Sequence, residues 1–129
     1  MKNLHAIGRV LYALPLGVFA FMHFANAPML AGLVPSIAPG SPVFWVYVTG
    51  VILAFAFVSL LLNRYVKESA LLLAGMLGIF VLTIHIPAVQ QTPAAMANLL
   101  KDFAMMGAAL TYASHHSAMA GEEVAVHSD

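Results

Sequence analysis

Two histidines, His23 and His85, lie near the ends of long apolar segments of the sequence, and a further segment carries Asn98, Lys101 and Asp102 in its first half. Leaving a charged side chain unpaired in the membrane costs about 2.5–3.5 kcal/mol or more on insertion scales, so such residues point to functional sites. A histidine paired with a carboxylate has a fixed tautomer and a more basic ring. That chemistry suits proton relay or binding of the polar end of a lipophilic ligand.

The composition indicates that a membrane holds these residues. Of the 129 residues, 62% are hydrophobic and 8% are charged, whereas soluble domains have about 25% charged residues. Five Lys and Arg balance five Asp and Glu, so neither nucleic acid nor a strongly charged membrane surface is a predicted partner. The apolar composition makes the lipid bilayer the predicted partner. The chain has no cysteine, which makes thiol chemistry by its own residues impossible.

The apolar segments predict an all-α, integral membrane four-helix bundle that forms one domain, residues 1–129. The expected helices span residues 4–25, 43–62, 69–86 and 92–119. Thr92 and Pro93 read as an N-cap followed by proline at the first helical position. The linker before the second helix holds four prolines, and we expect it to lie as an irregular loop on the membrane surface.

The cations predict the orientation, because loops rich in Lys and Arg stay in the cytoplasm. Lys2 and Arg9 lie at the start of the first helix, Arg64 and Lys67 lie in the second linker, and the first linker has neither residue type. Both termini are therefore expected to be cytoplasmic. The first segment also resembles a secretory signal that ends near Ala27, but the following proline and the arginine within the segment disfavour cleavage.

This topology places the polar residues at one depth. His23 and His85 end two helices that run in the same direction, so both belong to the outer leaflet. The fourth helix returns from outside, and a rise of about 1.5 Å per residue puts Asn98, Lys101 and Asp102 roughly 8 to 14 Å from its start. Asn98 and Asp102 share one helical face, and Lys101 is expected to point outward.

Several alternatives stay open for these and other polar residues. Each histidine could simply hydrogen-bond a backbone carbonyl within the bundle, and His23 and His85 could be axial haem ligands, although haem is not the favoured reading. No metal site other than this haem alternative is predicted. Other polar residues lie outside the predicted pocket. Arg9 and Glu68 could form an ion pair or could be two separate surface charges. His115 and His116 are expected at the end of the fourth helix, and His5 and His127 are expected to be solvated.

Four stretches, "GRVLYALPLGVFAFMHF", "PVFWVYVTGVILAFAF", "IHIPAV" and "NLLKDFAMMGAAL", resemble the DoxX-like membrane proteins from about Gly8 to Tyr112. The resemblance implies a four-helix bundle in the bacterial inner membrane. Some members of that family are described as small subunits of quinone-linked oxidoreductase systems that act on sulfur compounds. The resemblance carries over His23, His85, Asn98, Lys101 and Asp102 as the polar positions of the helices, and it supplies no catalytic residue.

We therefore expect a small membrane subunit or accessory protein of a quinone-linked redox system. In this reading the two histidines, Asn98, Lys101 and Asp102 bind a ligand headgroup or relay protons in an outer-leaflet pocket. Quinone is the possible cofactor, and membrane or redox proteins are the expected partners. The alternative is a non-enzymatic scaffold or assembly factor for a larger membrane complex, in which the same polar residues only hold the helices together. Whether the chain is an enzyme stays open.

Overall fold

The computed structural model describes the backbone of residues 1–126 and the side chains of residue 1 and residues 3–118. These residues form helices and loops without a strand, which confirms the predicted all-α class. The helices are α1 (Lys2–Ala25), α2 (Ala27–Leu30), α3 (Pro42–Leu62), α4 (Val66–Phe80), α5 (Ile86–Ala88) and α6 (Pro93–Val126). A 3₁₀ turn, Ala31–Leu33, follows α2, and a π-helical turn, Val81–His85, joins α4 to α5.

Three helical stretches are long and apolar enough to cross a membrane: Asn3–Ala25, Pro42–Leu62 and Val66–Ala88. These three stretches support the prediction that the chain is a membrane protein. α6 is not among them, since Asn98, Lys101 and Asp102 lower the hydropathy of its first half. The least apolar long helix is thus the one that carries most of the candidate site.

Prolines and caps define the helix ends. Pro42 and Pro93 each occupy the first position of a helix, where a missing N–H costs nothing. The hydroxyl oxygen of Thr92 accepts a hydrogen bond from the N–H of Ala95 at 3.2 Å, as an N-cap does. The two largest differences from the expected bounds are that the third segment begins earlier, at Val66, and that α6 continues beyond residue 119 to Val126.

The helices pack as two pairs, α1 on α3 and α4 on α6, and the pairs meet mainly where α3 lies against α4. Small residues let α1 and α3 approach closely. A Cβ atom on Gly50 would lie 3.2 Å from the Cβ of His23, so this glycine sets the position of one candidate residue. The core between the pairs is built from small and branched residues: Ala13, Leu16, Ala20, Leu53, Ala56, Leu60, Val66, Ala70, Leu73, Ala74, Met76, Leu77, Ala109 and Ala113.

Side chains of α1 and α6 bridge the opposite side of the molecule. The Tyr12 hydroxyl donates a hydrogen bond of 2.6 Å to the backbone carbonyl of Met105. The Tyr12 ring also stacks on Tyr112, with centroids 5.5 Å apart. These contacts join α1 to α6 around Tyr12. Between this point and the proline-rich linker, a space is left between the two helix pairs.

Candidate functional site

A cavity of about 580 Å³ occupies the space between the two helix pairs, and most of its wall is apolar. All five predicted site residues line it: His23, His85, Asn98, Lys101 and Asp102. They come from three separate parts of the chain, the end of α1, the π-helical turn and the first half of α6. A polar group of this kind inside an apolar pocket of ligand size is a typical small-molecule site.

Asp102 is the centre of the polar group. The residue is 3% exposed, although aspartate is almost never buried without a partner. Its Oδ2 lies 2.8 Å from Nε2 of His85, and its Oδ1 lies 3.4 Å from Nζ of Lys101. The carboxylate therefore holds two basic side chains, one from the neighbouring helix and one from its own.

The prediction that Lys101 points outward holds only in part, because its side chain is 42% exposed while its ammonium turns back toward Asp102. Its Nζ contacts Asp102 and lies 4.7 Å from the centroid of the Phe19 ring, on α1. A cation over an aromatic face is attracted by the ring quadrupole. The Cβ of Lys101 does leave the helix about 100° from that of Asp102, but the four-carbon stem is long enough to bring the ammonium back to the cavity.

His23 takes a different partner from His85. Its Nδ1 lies 2.7 Å from the backbone carbonyl of Phe19, one helical turn earlier. This contact matches the carbonyl alternative that the sequence left open, and it uses one ring nitrogen while the ring still lines the cavity. Asn98 lines the cavity one turn before Asp102 on α6 and is exposed.

The π-helical turn orients His85. In this turn the N–H of Ile86 bonds the carbonyl of Val81, five residues earlier, in place of the usual four. Pro87 follows immediately, and its ring would clash with the carbonyl of Thr83 in a regular α-helix. The wider turn accommodates the proline, and the additional residue rotates His85 relative to α4.

The proline-rich linker forms one end of the cavity wall. Seven of its residues line the cavity wall: Leu30, Leu33, Val34, Pro35, Ile37, Ala38 and Pro39. The indole N–H of Trp45 donates a 2.7 Å hydrogen bond to the carbonyl of Pro39 and so fastens the linker to α3. The expected surface loop is thus a cover over the site.

Other polar residues stay outside this group. The ion pairs among the residues with described side chains are those of Asp102, so Arg9 and Glu68 do not pair. His116 Nε2 lies 3.1 Å from Oδ1 of Asn63, and α6 continues beyond His115 and His116, so the prediction that they end the helix is wrong.

His5 is not among the residues that line the cavity. The exposed ring of His5 packs 5.3 Å from that of His115, and His127 lies outside the described residues. No three His, Cys, Asp or Glu side chains gather as a metal site in the part of the chain that the structure describes. Axial haem ligation through Nε2 of His85 would require the bond to Asp102 to break.

Among the cavity residues that were not predicted as site residues, four make contacts that bear on the site: Phe19, Trp45, Thr49 and Thr83. The two threonines could have been predicted from the sequence, because each places a hydroxyl within an apolar helical segment. The roles of Phe19 and Trp45 depend on contacts across the fold, and aromatic residues are too common in membrane helices to signal such roles.

Comparison with known proteins identifies a family without an assigned activity. No curated protein and no solved structure matches the sequence. One family does match, over residues 12–113, a range that contains every residue of the polar group. The chain therefore belongs to the family described as domain of unknown function DUF8561.

Proposed function

We propose that this chain is a small multi-pass subunit or accessory protein of a quinone-linked redox system. In this proposal its cavity binds the polar end of a lipophilic ligand beside His85, Lys101 and Asp102. The observation that carries the proposal is the buried Asp102 carboxylate, which fixes two basic side chains at the wall of an otherwise apolar cavity. The resemblance to DoxX-like proteins supports the quinone-linked setting.

We also propose that α6 is a fourth membrane span, that both termini are cytoplasmic, and that the membrane is the bacterial inner membrane. α6 has 34 residues, and about 20 residues suffice to cross the hydrocarbon core. Arg64 and Lys67 lie at the turn between α3 and α4, whereas residues 26–41 contain no Lys or Arg. This asymmetry favours a cytoplasmic side at that turn.

Ligand binding can be measured through the single tryptophan, Trp45, because it lines the cavity. Protein purified in detergent is titrated with a decyl-substituted benzoquinone, and we expect saturable quenching of the Trp45 fluorescence. Asp102→Asn should weaken binding, whereas His5→Asn, which changes an exposed residue at the other end of α1, should not. Extraction and mass spectrometry of the untreated protein test for a co-purified quinone. If neither the benzoquinone nor its reduced form shows saturable quenching that depends on Asp102, the proposed function is wrong.

One observation favours a second function, a non-enzymatic scaffold for a larger membrane complex. Asp102 links α6 to His85, and Lys101 links α6 to Phe19 of α1, so the polar group also ties the two helix pairs together through α1 and α6. A scaffold would bring large membrane partners in a pull-down and no lipophilic ligand. Its activity in assembly would survive when the polar group is replaced by apolar residues that preserve stability.

A further inference from the structure

The hydrogen-bond donors in the cavity wall are largely used within the protein. The hydroxyl of Thr49 donates to the carbonyl of Trp45 at 2.9 Å, and that of Thr83 donates to the carbonyl of Ile79 at 2.7 Å. Each hydroxyl has one hydrogen, so what each threonine still offers to the cavity is an oxygen lone pair.

Each of the two histidines likewise uses one ring nitrogen in a contact within the protein. Nδ1 of His23 lies 2.7 Å from the carbonyl oxygen of Phe19, which can only accept, so this nitrogen carries a hydrogen. Nε2 of His85 lies 2.8 Å from the carboxylate of Asp102, and the same reasoning places a hydrogen there. In a neutral imidazole the other nitrogen is an acceptor. With both rings neutral, His23 keeps a free lone pair on Nε2, and His85 keeps one on Nδ1.

The donors that stay free belong to α6. The ammonium of Lys101 has three N–H groups, of which Asp102 takes one at 3.4 Å, and the amide of Asn98 has two more. The cavity thus offers imidazole acceptors from one side and an amide and an ammonium from the other. A hydroxyl satisfies both sides, because it donates one hydrogen bond and accepts others, whereas a carbonyl can only accept.

We propose that the cavity selects a lipophilic ligand with a hydroxyl headgroup, and that in the quinone-linked setting it binds the hydroquinone in preference to the quinone. The inference rests on the proposed function and names the form of the ligand. The apolar walls, including Leu53, Leu77 and Phe80, accommodate the hydrocarbon part.

The size of the preference follows from the hydrogen bonds that only the hydroxyl form can make. A net hydrogen bond contributes about 1 kcal/mol, so one additional bond to an imidazole corresponds to roughly five- to tenfold tighter binding. We expect at least this ratio between the hydroquinone and the quinone. His23→Phe, which keeps a planar ring and removes one of the two imidazole acceptors, should lower this ratio.

The test compares two matched pairs of ligands by quenching of Trp45 fluorescence. The first pair is a decyl-substituted benzoquinone and its hydroquinone, titrated under anaerobic conditions with the reductant alone as a blank. The second pair is 4-decylphenol and 4-decylanisole, in which a methyl group removes the donor without any change of redox state. Thermal unfolding of the His23→Phe variant checks that it is folded, and His5→Phe is the matched control at an exposed site.

The outcomes separate this inference from the proposed function. Tighter binding of the hydroquinone and of the phenol, with a ratio that falls in His23→Phe and not in His5→Phe, supports the inference. Equal binding within each pair, or tighter binding of the quinone and the anisole, overturns it while the proposed ligand site still stands. If none of the four compounds binds, both proposals fail.

Discussion

Asp102 combines two roles that are usually separate, since it is both a structural partner and the most polar group of the cavity. Its carboxylate is buried and fixes His85 from the neighbouring helix. A buried pair of this kind is weak support for stability, because desolvation offsets much of the attraction. Removing one partner, however, leaves the other without a bond in an apolar surrounding. The cost of losing Asp102 therefore differs from the cost of losing the whole pair.

Asp102→Ala should destabilise the protein by about 1–3 kcal/mol, because the N–H of His85 loses its acceptor. The double substitution His85→Leu with Asp102→Leu should recover much of this loss, since an apolar pair of similar size needs no hydrogen bond. Unfolding by denaturant in detergent micelles measures the differences. Asp102→Asn, which keeps a side-chain oxygen as an acceptor, should lose less than the alanine variant.

The double variant also separates the two proposed functions. It is expected to be folded but unable to bind the benzoquinone, whereas a scaffold would keep its partners. If the alanine variant is as stable as the wild type, the pair between Asp102 and His85 does not hold the helices together.

At the residue scale, the sequence predicted positions better than directions. The uniform rise of a helix allowed His23, His85 and Asp102 to be placed at one depth, and all three line the same cavity. Lys101 is exposed as predicted, but the position of its ammonium was not predicted, because helical periodicity describes where a Cβ points and not where a flexible stem ends. Its position depends on Phe19, a residue 82 positions earlier in the chain.

At the element scale, the π-helical turn is the feature that brings His85 to Asp102. A single additional residue in a helical turn changes the direction of later side chains by about 100°. π-helical turns are rare and are frequent at functional sites. In this chain the turn ends at His85 itself, and Pro87 follows two residues later.

Pro87→Ala should convert the π-helical turn into regular α-helix, because the ring that clashes with the carbonyl of Thr83 is removed. His85 would then rotate away from Asp102, and affinity for the benzoquinone should fall. Since the chain lacks cysteine, spin labels can be attached to introduced cysteines at the exposed positions Leu71 and Ile86. Their separation should change in the Pro87→Ala background.

A label pair at Leu71 and Ile79, both exposed and within α4, should keep its separation and serves as the control. An unchanged distance between Leu71 and Ile86 would mean that the turn does not depend on Pro87.

The sequence predicted where the helical segments lie but not this turn. Thr92 and Pro93 combine two local signals, a capping hydroxyl and a preset φ, so the start of α6 was readable. A proline within a helix has several solutions, including a kink, a π-helical turn or an end of the helix. Packing against α6 selects among them, and sequence periodicity does not report that packing.

At the scale of the whole molecule, two helix pairs enclose the cavity, and the linker between α1 and α3 covers it. The outer faces are rich in large apolar side chains, among them Leu11, Val18, Leu72 and Phe103, as expected for surfaces that meet lipid. Of the polar group, Asp102 is buried and the two histidines are half-buried, whereas Asn98 and Lys101 are exposed although they line the cavity. This arrangement gives a short hydrophobic chain a ligand-sized cavity with polar side chains clustered in one part of its wall.

The proposed orientation predicts which connecting regions of the chain lie on each side of the membrane. Single cysteines at Ser36, Glu68 and Ala118, all exposed, report three connecting regions without replacing a lysine or arginine that sets the topology. In intact cells, a membrane-impermeant maleimide should label residue 36, which lies in the linker over the cavity. Residues 68 and 118 should react only after permeabilisation, because the first lies beside Arg64 and Lys67 and the second lies at the far end of α6.

The wild-type chain, which has no cysteine, gives the background of this labelling. Labelling of residue 118 in intact cells together with residue 36 would mean that α6 does not cross the membrane. In that case α6 would stay on one side of the membrane, and Asp102 would not have to be shielded from lipid by charged partners. The reverse pattern at all three positions would place both termini outside and would turn the covered end of the cavity toward the cytoplasm. Either result contradicts the proposed topology, whereas the expected pattern places the covered cavity in the outer leaflet, where a lipophilic ligand can enter from the bilayer.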